Sequence, residues 1–247
     1  MATNLLEGER ALVTGSSGGI GRGIAQALKA EGAIVLGSDI KAPPAEDGID
    51  FLAGDLGQRD GWRTLLDGAL QRLGSISLFV HAASPRRIET DTPLSVSEET
   101  WDAMTGVNLR AGFFLAREVG RHMVERGTRG RILLVTSQHR DMARNLPHYS
   151  ASKAGMTMVM KELARVLAPS GIRVNAIAPG AIPGGGFVAG NLADLVSRIP
   201  LGRPGTPDDI AQMAVAVLSE RFGRYVVGTT VEIDGGLGLT SWIPAKA

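Results

Sequence analysis

Seven short runs of aliphatic and β-branched residues alternate along this chain with longer stretches of helical periodicity. The runs cover 11–14, 33–38, 50–53, 78–81, 131–136, 172–177 and 230–233, the third being the shortest and weakest signal. Strands apolar on both faces suit a parallel sheet covered on both sides, because a half-exposed antiparallel strand would alternate apolar with polar. Helical patterns fill 20–31, 61–73, 97–125, 150–168 and 207–219, and Gly106 can divide the third of them in two. In the fourth, Met156, Met160, Leu163 and Leu167 recur at three- or four-residue spacing and make one apolar face. Strand–helix alternation of this kind predicts right-handed βαβ units and an α/β fold, a doubly wound parallel sheet. No repeat, low-complexity tract or linker interrupts it, so 1–247 is expected to be a single domain. The least regular segment, 180–200, holds Gly184, Gly185, Gly186 and Gly190 and is expected to be a substrate loop.

Composition narrows the function classes. A net charge of +1 argues against dependence on nucleic acid or an anionic membrane surface. With no cysteine there is no disulfide, thiolate metal site or cysteine nucleophile. No histidine–carboxylate cluster has metal-ligand spacing, so no metal is expected. Residues 1–10 carry Glu7, Glu9 and Arg10 and lack a signal-peptide core, and no apolar run approaches a membrane span. A soluble, cytoplasmic protein is the expectation.

After the first strand comes Thr14-Gly15-Ser16-Ser17-Gly18-Gly19-Ile20-Gly21, followed at once by a helix. Glycines allow a tight turn and close approach to a pyrophosphate, whose charge then meets the positive helix N-terminus. Such a run alone can be a plain turn; the strand before it and the helix after it supply the context for a Rossmann-type dinucleotide site. Asp39 ends the second strand, 24 residues after Gly15. A carboxylate there accepts from both ribose hydroxyls of NAD and repels a 2′-phosphate, and residues 14–21 hold no Lys or Arg, so NAD is expected over NADP. Asp55 and Leu56 follow the third strand and could flank the adenine, although an acidic helix N-terminus explains Asp55 equally well.

Tyr149 and Lys153 stand four residues apart in Tyr149-Ser150-Ala151-Ser152-Lys153, which on a helix places the ammonium beside the phenol. A fixed positive neighbour favours the phenolate and moves the phenol toward a useful general base.

Together these residues resemble the classical short-chain dehydrogenase/reductase (SDR) family along nearly the whole chain. The Thr14-Gly15-x-x-x-Gly19-x-Gly21 loop matches its cofactor motif, and Asn108, Ser137, Tyr149 and Lys153 match its catalytic tetrad in order and approximate spacing. Asn175-Ala176-Ile177-Ala178-Pro179-Gly180 and Asp234-Gly235-Gly236 resemble its later landmarks. The resemblance implies that Tyr149 is the acid/base, that Lys153 lowers its pKa and holds the nicotinamide ribose, and that Ser137 bonds the substrate oxygen. It gives Asn108 a water linking Lys153 to solvent. Cofactor contacts are implied for Thr14, Gly15, Ser17, Gly19, Ile20 and Gly21, for Ala82, and for Pro179, Gly180 and Ile182 around the nicotinamide. Read alone, Ser137 fits an ordinary strand-end hydroxyl and Asn108 a helix residue bonding backbone.

Three departures stand out. His81-Ala82-Ala83-Ser84 replaces the usual Asn-Asn-Ala-Gly, which puts a histidine where an asparagine ties neighbouring strands. The gap from Ser137 to Tyr149 is one residue shorter than is common, and no threonine follows Pro179-Gly180. Polar and basic side chains crowd the two loops expected by the reacting carbon, and Arg86, His139 and Arg140 join Ser137 and Tyr149 as candidate substrate residues. A solvated arginine-rich loop explains them as well. The expected activity is NAD-dependent interconversion of a secondary alcohol and a ketone on a small-molecule sugar, polyol or hydroxy acid. The alternative is a 3-oxoacyl-[acyl-carrier-protein] reductase, with Arg121, Arg126, Arg129 and Arg131 as a basic patch for an acidic carrier. A minor alternative is a non-catalytic NAD-binding regulator. The resemblance also implies a homo-oligomer, a tetramer or dimer, for which Met104, Val107, Phe113 and Leu115 are contact candidates or plain core.

Overall fold

The computed structural model describes residues 4–45, 48–183 and 192–239. Each of the seven apolar runs forms a strand: β1 (Arg10–Thr14), β2 (Ile34–Asp39), β3 (Asp50–Ala53), β4 (Leu78–His81), β5 (Arg131–Val135), β6 (Arg173–Pro179) and β7 (Thr230–Ile233). They pair in the order β3-β2-β1-β4-β5-β6-β7, and every pairing is parallel. The chain therefore winds outward from β1 to β3, returns to the centre, and winds out again from β4 to β7. The strand order reverses between β1 and β4, the place where open α/β sheets form a crevice at their carboxyl ends.

The crossovers are helices: α1 (Gly19–Ala30), α2 (Gly61–Leu73), α3 (Glu98–Thr105), α4 (Gly112–Glu125), α5 (Pro147–Leu167), α6 (Leu192–Ser197), α7 (Pro207–Leu218) and the single turn α8 (Glu220–Gly223). Alternation along each strand feeds two cores. From β4, Phe79 turns toward Leu65, Leu115, Val119, Met156 and Met160 on one face, while Leu78 and Val80 turn toward Ile24, Leu28, Ile210 and Ala214 on the other. The second face is closed by α1 and α7, and α7 begins with a capping box between Thr206 and Asp209.

Three elements differ from the sequence expectation. The stretch 97–125 is not broken at Gly106; residues Gly106–Ala111 continue α3 into α4 as a π turn, with Asn108 buried inside it. Helix α5 starts at Pro147 rather than 150, because a proline has no N–H to lose at the first helical position. Tyr149 thereby lies in the first turn. Part of the expected loop at 180–200 is α6; its residues 184–191, with Gly184, Gly185, Gly186 and Gly190, lie outside the described residues.

The glycine run packs as tightly as its spacing suggests. A Cβ on Gly21 would stand 2.1 Å from the Gly15 carbonyl oxygen, whereas one on Gly106 would meet nothing within 4 Å. Gly21→Ala should therefore lower the unfolding free energy by about 1–3 kcal/mol through overpacking. Gly106→Ala, in open space with helical dihedrals, should raise it by about 0.5–1 kcal/mol. Urea denaturation of both variants checks the pair.

Candidate active site

The carboxyl ends of the central strands border one cleft of about 1040 Å³. Of the residues expected to act there, Gly15, Gly19, Ile20, Gly21, Asp39, Asp55, Leu56, Ala82, Arg86, Ser137, His139, Tyr149, Lys153, Pro179, Gly180 and Ile182 line it. Thr14, Ser17, Asn108 and Arg140 do not, although Thr14 and Ser17 touch residues that do.

At one end the cleft has the form of an anion cradle. Gly15 takes a φ of +73°, and a Cβ there would come within 2.6 Å of the Ala83 nitrogen, so only glycine fits. Cβ atoms on Gly18 and Gly19 would meet nothing within 4 Å, which leaves room for a ligand against the backbone. Gly18 caps α1 without a side chain, and the first turn holds no acidic residue. The first N–H groups of α1 thus stay open to an anion. Beyond the cradle, Asp39 Oδ2 accepts from the Ser17 N–H at 3.2 Å and Oδ1 from the Ile40 N–H at 2.7 Å. The Ser17 hydroxyl donates to the Lys41 carbonyl. Asp55 lies at the same end but spends its oxygens on its own turn, accepting from Gly57 N–H at 2.8 Å and Gln58 Nε2 at 3.2 Å. This geometry fits a nicotinamide dinucleotide, with pyrophosphate on the glycine run and a ribose at Asp39.

At the other end Tyr149 is ringed by cations. Lys153 Nζ is 5.5 Å from the ring centre and donates to the Val135 carbonyl at 2.9 Å. The Arg87 guanidinium lies 5.0 Å from the ring centre and pairs with Glu89 at 3.0 Å, while His139 meets the ring edge-on at 5.0 Å. Burial pushes the Tyr149 phenol above its ordinary value; Arg87, then the Ser137 hydroxyl, act in the opposite direction. Lys153 is itself lowered to about 7, by burial and then by Arg87, and its nitrogen is turned to a carbonyl. His139 is held neutral, lowered to about 3 by burial and by Arg87, Arg144 and Lys153.

Behind the pair, Asn108 Nδ2 donates to Ser152 Oγ at 2.9 Å, and Ser152 Oγ donates to the Tyr149 carbonyl at 2.7 Å. Asn108 Oδ1 is buried and has no partner among the described residues. His81 does tie strands, through side chains: its Nδ1 shares a 2.9 Å hydrogen bond with Thr14 Oγ1, joining β4 to β1. Burial and then Lys153 lower it to about 3, so it is neutral. The ring lies on α4, where a Cβ at Gly112 would come within 2.8 Å of it. The landmark Asp234 accepts from Gly236 and Gly238 N–H groups at 2.8 Å each and from Gln138 Nε2, and a Cβ on Gly180 would strike its Cα at 2.7 Å. It therefore braces both sides of the cleft floor.

Arg140 is a correction to the sequence expectation. Its guanidinium turns away from the cleft to Asp141 at 2.8 Å and Glu232 of β7 at 2.5 Å. Arg87 and Arg144 line the cleft instead. Both basic loops were visible in the sequence; Arg86 and Arg87 of the first both line the cleft, but nothing local told that Arg144 rather than Arg140 does so from the second. Ser152, inside the Tyr–Lys spacing, carried no signal of its own.

Known proteins similar to this chain are dehydrogenases and reductases. A family model described as enoyl-(acyl carrier protein) reductase matches residues 15–238. The chain is 32% identical to the 2-dehydro-3-deoxy-D-gluconate 5-dehydrogenase of Escherichia coli, over 94% of this chain and 96% of that one. It is 32% identical to the 3-oxoacyl-[acyl-carrier-protein] reductase of Haemophilus influenzae, over 95% and 100%. It superposes on a short-chain type dehydrogenase/reductase from Mycobacterium marinum with a TM-score of 0.86 and 30% identity, over 94% of this chain and 96% of that one. The chain belongs to the short-chain dehydrogenase/reductase family. As an SDR it is an NAD(P)-dependent oxidoreductase acting on CH–OH groups, with a Rossmann-type α/β fold.

The cation ring around the phenol is testable in the free enzyme. Removing Arg87 takes away a charge that favours the phenolate, so Arg87→Met should move Tyr149 ionisation to higher pH. Ultraviolet titration reads this directly, since Tyr225 is the only other tyrosine and Tyr149→Phe assigns the transition.

Proposed function

We propose that this SDR is an NAD-preferring dehydrogenase that interconverts a small polar secondary alcohol, such as a sugar, polyol or hydroxy acid, with its ketone. Asp39 carries the cofactor half of the reading. Its carboxylate is fixed by two backbone N–H groups at the cleft wall, ready to accept from ribose hydroxyls and opposed to a 2′-phosphate. The crowding of arginine and histidine around Tyr149 carries the substrate half, because such a lining favours a polar molecule over a hydrocarbon.

Hydride acceptance from the carbinol carbon, or donation to the carbonyl carbon, is the chemistry the dinucleotide supplies when bound. The rest falls to side chains. During oxidation the Tyr149 phenolate takes the hydroxyl proton, and Ser137 Oγ holds the same substrate oxygen. Lys153, lowered to about 7, exchanges a proton near neutrality and serves the ribose. Asn108, fixed through Ser152 to the backbone of Tyr149, offers its open Oδ1 as a buried acceptor for water beside them. Reduction runs the same steps backward, with Tyr149 as the acid.

The alternative, a 3-oxoacyl-[acyl-carrier-protein] reductase, is supported by the Haemophilus relative. Of its basic docking patch, Arg121, Arg126 and Arg129 stay exposed, with Arg121 paired to Glu118 at 2.5 Å, whereas Arg131 is buried on β5 and paired with Glu9 at 2.7 Å. A homo-oligomeric, cytoplasmic enzyme belongs to the same proposal. Met104 and Leu115 are core residues of the protomer, whereas Trp101, Val124, Met158 and Val166 leave apolar surface exposed on α3, α4 and α5. Among the described residues no helix is long and apolar enough to cross a membrane.

Initial rates over sugars, polyols and hydroxy acids test the reading. NAD should exceed NADP in kcat/KM by about tenfold or more, and Asp39→Ala should narrow that ratio. Tyr149→Phe should lower kcat by about 100-fold or more while NADH still binds. NADH binding with no turnover on any alcohol or ketone would instead favour a non-catalytic NAD-binding protein.

A further inference from the structure

Charge at the substrate end of the cleft is one-sided. Arg86, Arg87, Arg144 and Arg198 line it, and among the described residues Glu89 is the one carboxylate lining that end. Glu89 is taken by Arg87 at 3.0 Å, and Arg86 is exposed to solvent. Arg144 is different: it is half-buried, its Nη2 contacts Met142 Sδ at 3.4 Å, and no carboxylate stands within 4 Å of it among the described residues. Burial, and then the charge of Arg198, disfavour its protonated form. A guanidinium cannot shed its proton at working pH, so an anion is what such a position lacks.

Its place is also prepared. Asn145, next to it, holds the left-handed region at a φ of 60°, a conformation asparagine tolerates, and Leu146 is 3% exposed. Arg144 thus stands immediately before this turn, three residues ahead of the helix that carries Tyr149. Across the cleft Arg87 lies against the Tyr149 ring, with neutral His139 between the two arginines' fields.

We infer that the substrate of this SDR is a monocarboxylate, a hydroxy acid or sugar acid, and that Arg144 receives its carboxylate while Tyr149 works on the carbinol. The inference rests on the proposed dehydrogenase function and narrows its substrate class. Arg144 is the one arginine lining that end which is neither exposed nor paired with Glu89, and its flat guanidinium fork matches the two oxygens of a carboxylate.

The test compares matched pairs: gluconate against sorbitol, and 3-hydroxybutyrate against 2-butanol, with glycerol 3-phosphate as the dianion. Each is assayed for NAD-dependent oxidation and, by calorimetry, for binding to the NADH-loaded enzyme, using wild type, Arg144→Met and Arg144→Lys. At least one carboxylate should surpass its uncharged partner by about tenfold in kcat/KM or affinity. Arg144→Met should raise KM or Kd for that carboxylate by about 10–100-fold and collapse its advantage, with partial recovery in Arg144→Lys. The inference fails if the uncharged partners or glycerol 3-phosphate do as well or better, if Arg144→Met leaves the advantage intact, or if no carboxylate binds. NADH binding by wild type, followed by fluorescence, separates the two levels. Its absence overturns the NAD-dependent reading on which the inference rests, whereas intact NADH binding with a preference for uncharged alcohols overturns only the carboxylate.

Discussion

Parallel pairing is the constraint on which everything else hangs. Because all seven strands point the same way, the segments leaving β1, β2, β4, β5 and β6 emerge along one edge of the sheet. The reversal between β1 and β4 then opens that edge in the middle. The glycine run, Asp39, the Ala82-Ala83 turn, Ser137 and Pro179-Gly180 meet there, although they lie far apart in sequence. A cleft of this kind needs no dedicated walls, since hydrogen bonding between neighbouring strands sets its width.

Within that cleft, burial and charge work against one another. Removing a phenol and an ammonium from water favours the neutral form of both, raising Tyr149 and lowering Lys153. Arg87 offsets this for the phenol and reinforces it for the lysine and for His139. One half-buried loop arginine thus biases three titrating groups at once, and Glu89, paired with it, moderates its field. The active centre draws its electrostatics as much from the loop after β4 as from the helix that bears the Tyr–Lys spacing.

Legibility in the sequence follows from where the information lies. The strands, the glycine run and the Tyr149–Lys153 spacing are local patterns with a fixed period, and the structure places them as the pattern requires. The π turn is not local. Residues 106–111 read as ordinary helix, and what distinguishes them is the Asn108–Ser152 bond to another helix and the His81 ring against Gly112. Arg140 and Arg144 show the same limit: both sit in one basic stretch, and Glu232 on β7, far away in sequence, joins Asp141 in holding the first away from the cleft. Side-chain direction in a loop has no period to read.

Gly112 has ordinary helical dihedrals, φ −57° and ψ −45°, so nothing in the backbone asks for glycine there. A helix interior ordinarily disfavours glycine by about 1 kcal/mol relative to alanine. What asks for it is the His81 ring, standing where the usual asparagine would be and filling the space of a methyl group. The two positions are therefore coupled by volume: a smaller side chain at residue 81 would free residue 112 to carry a Cβ, and a Cβ at residue 112 would have to displace the histidine ring.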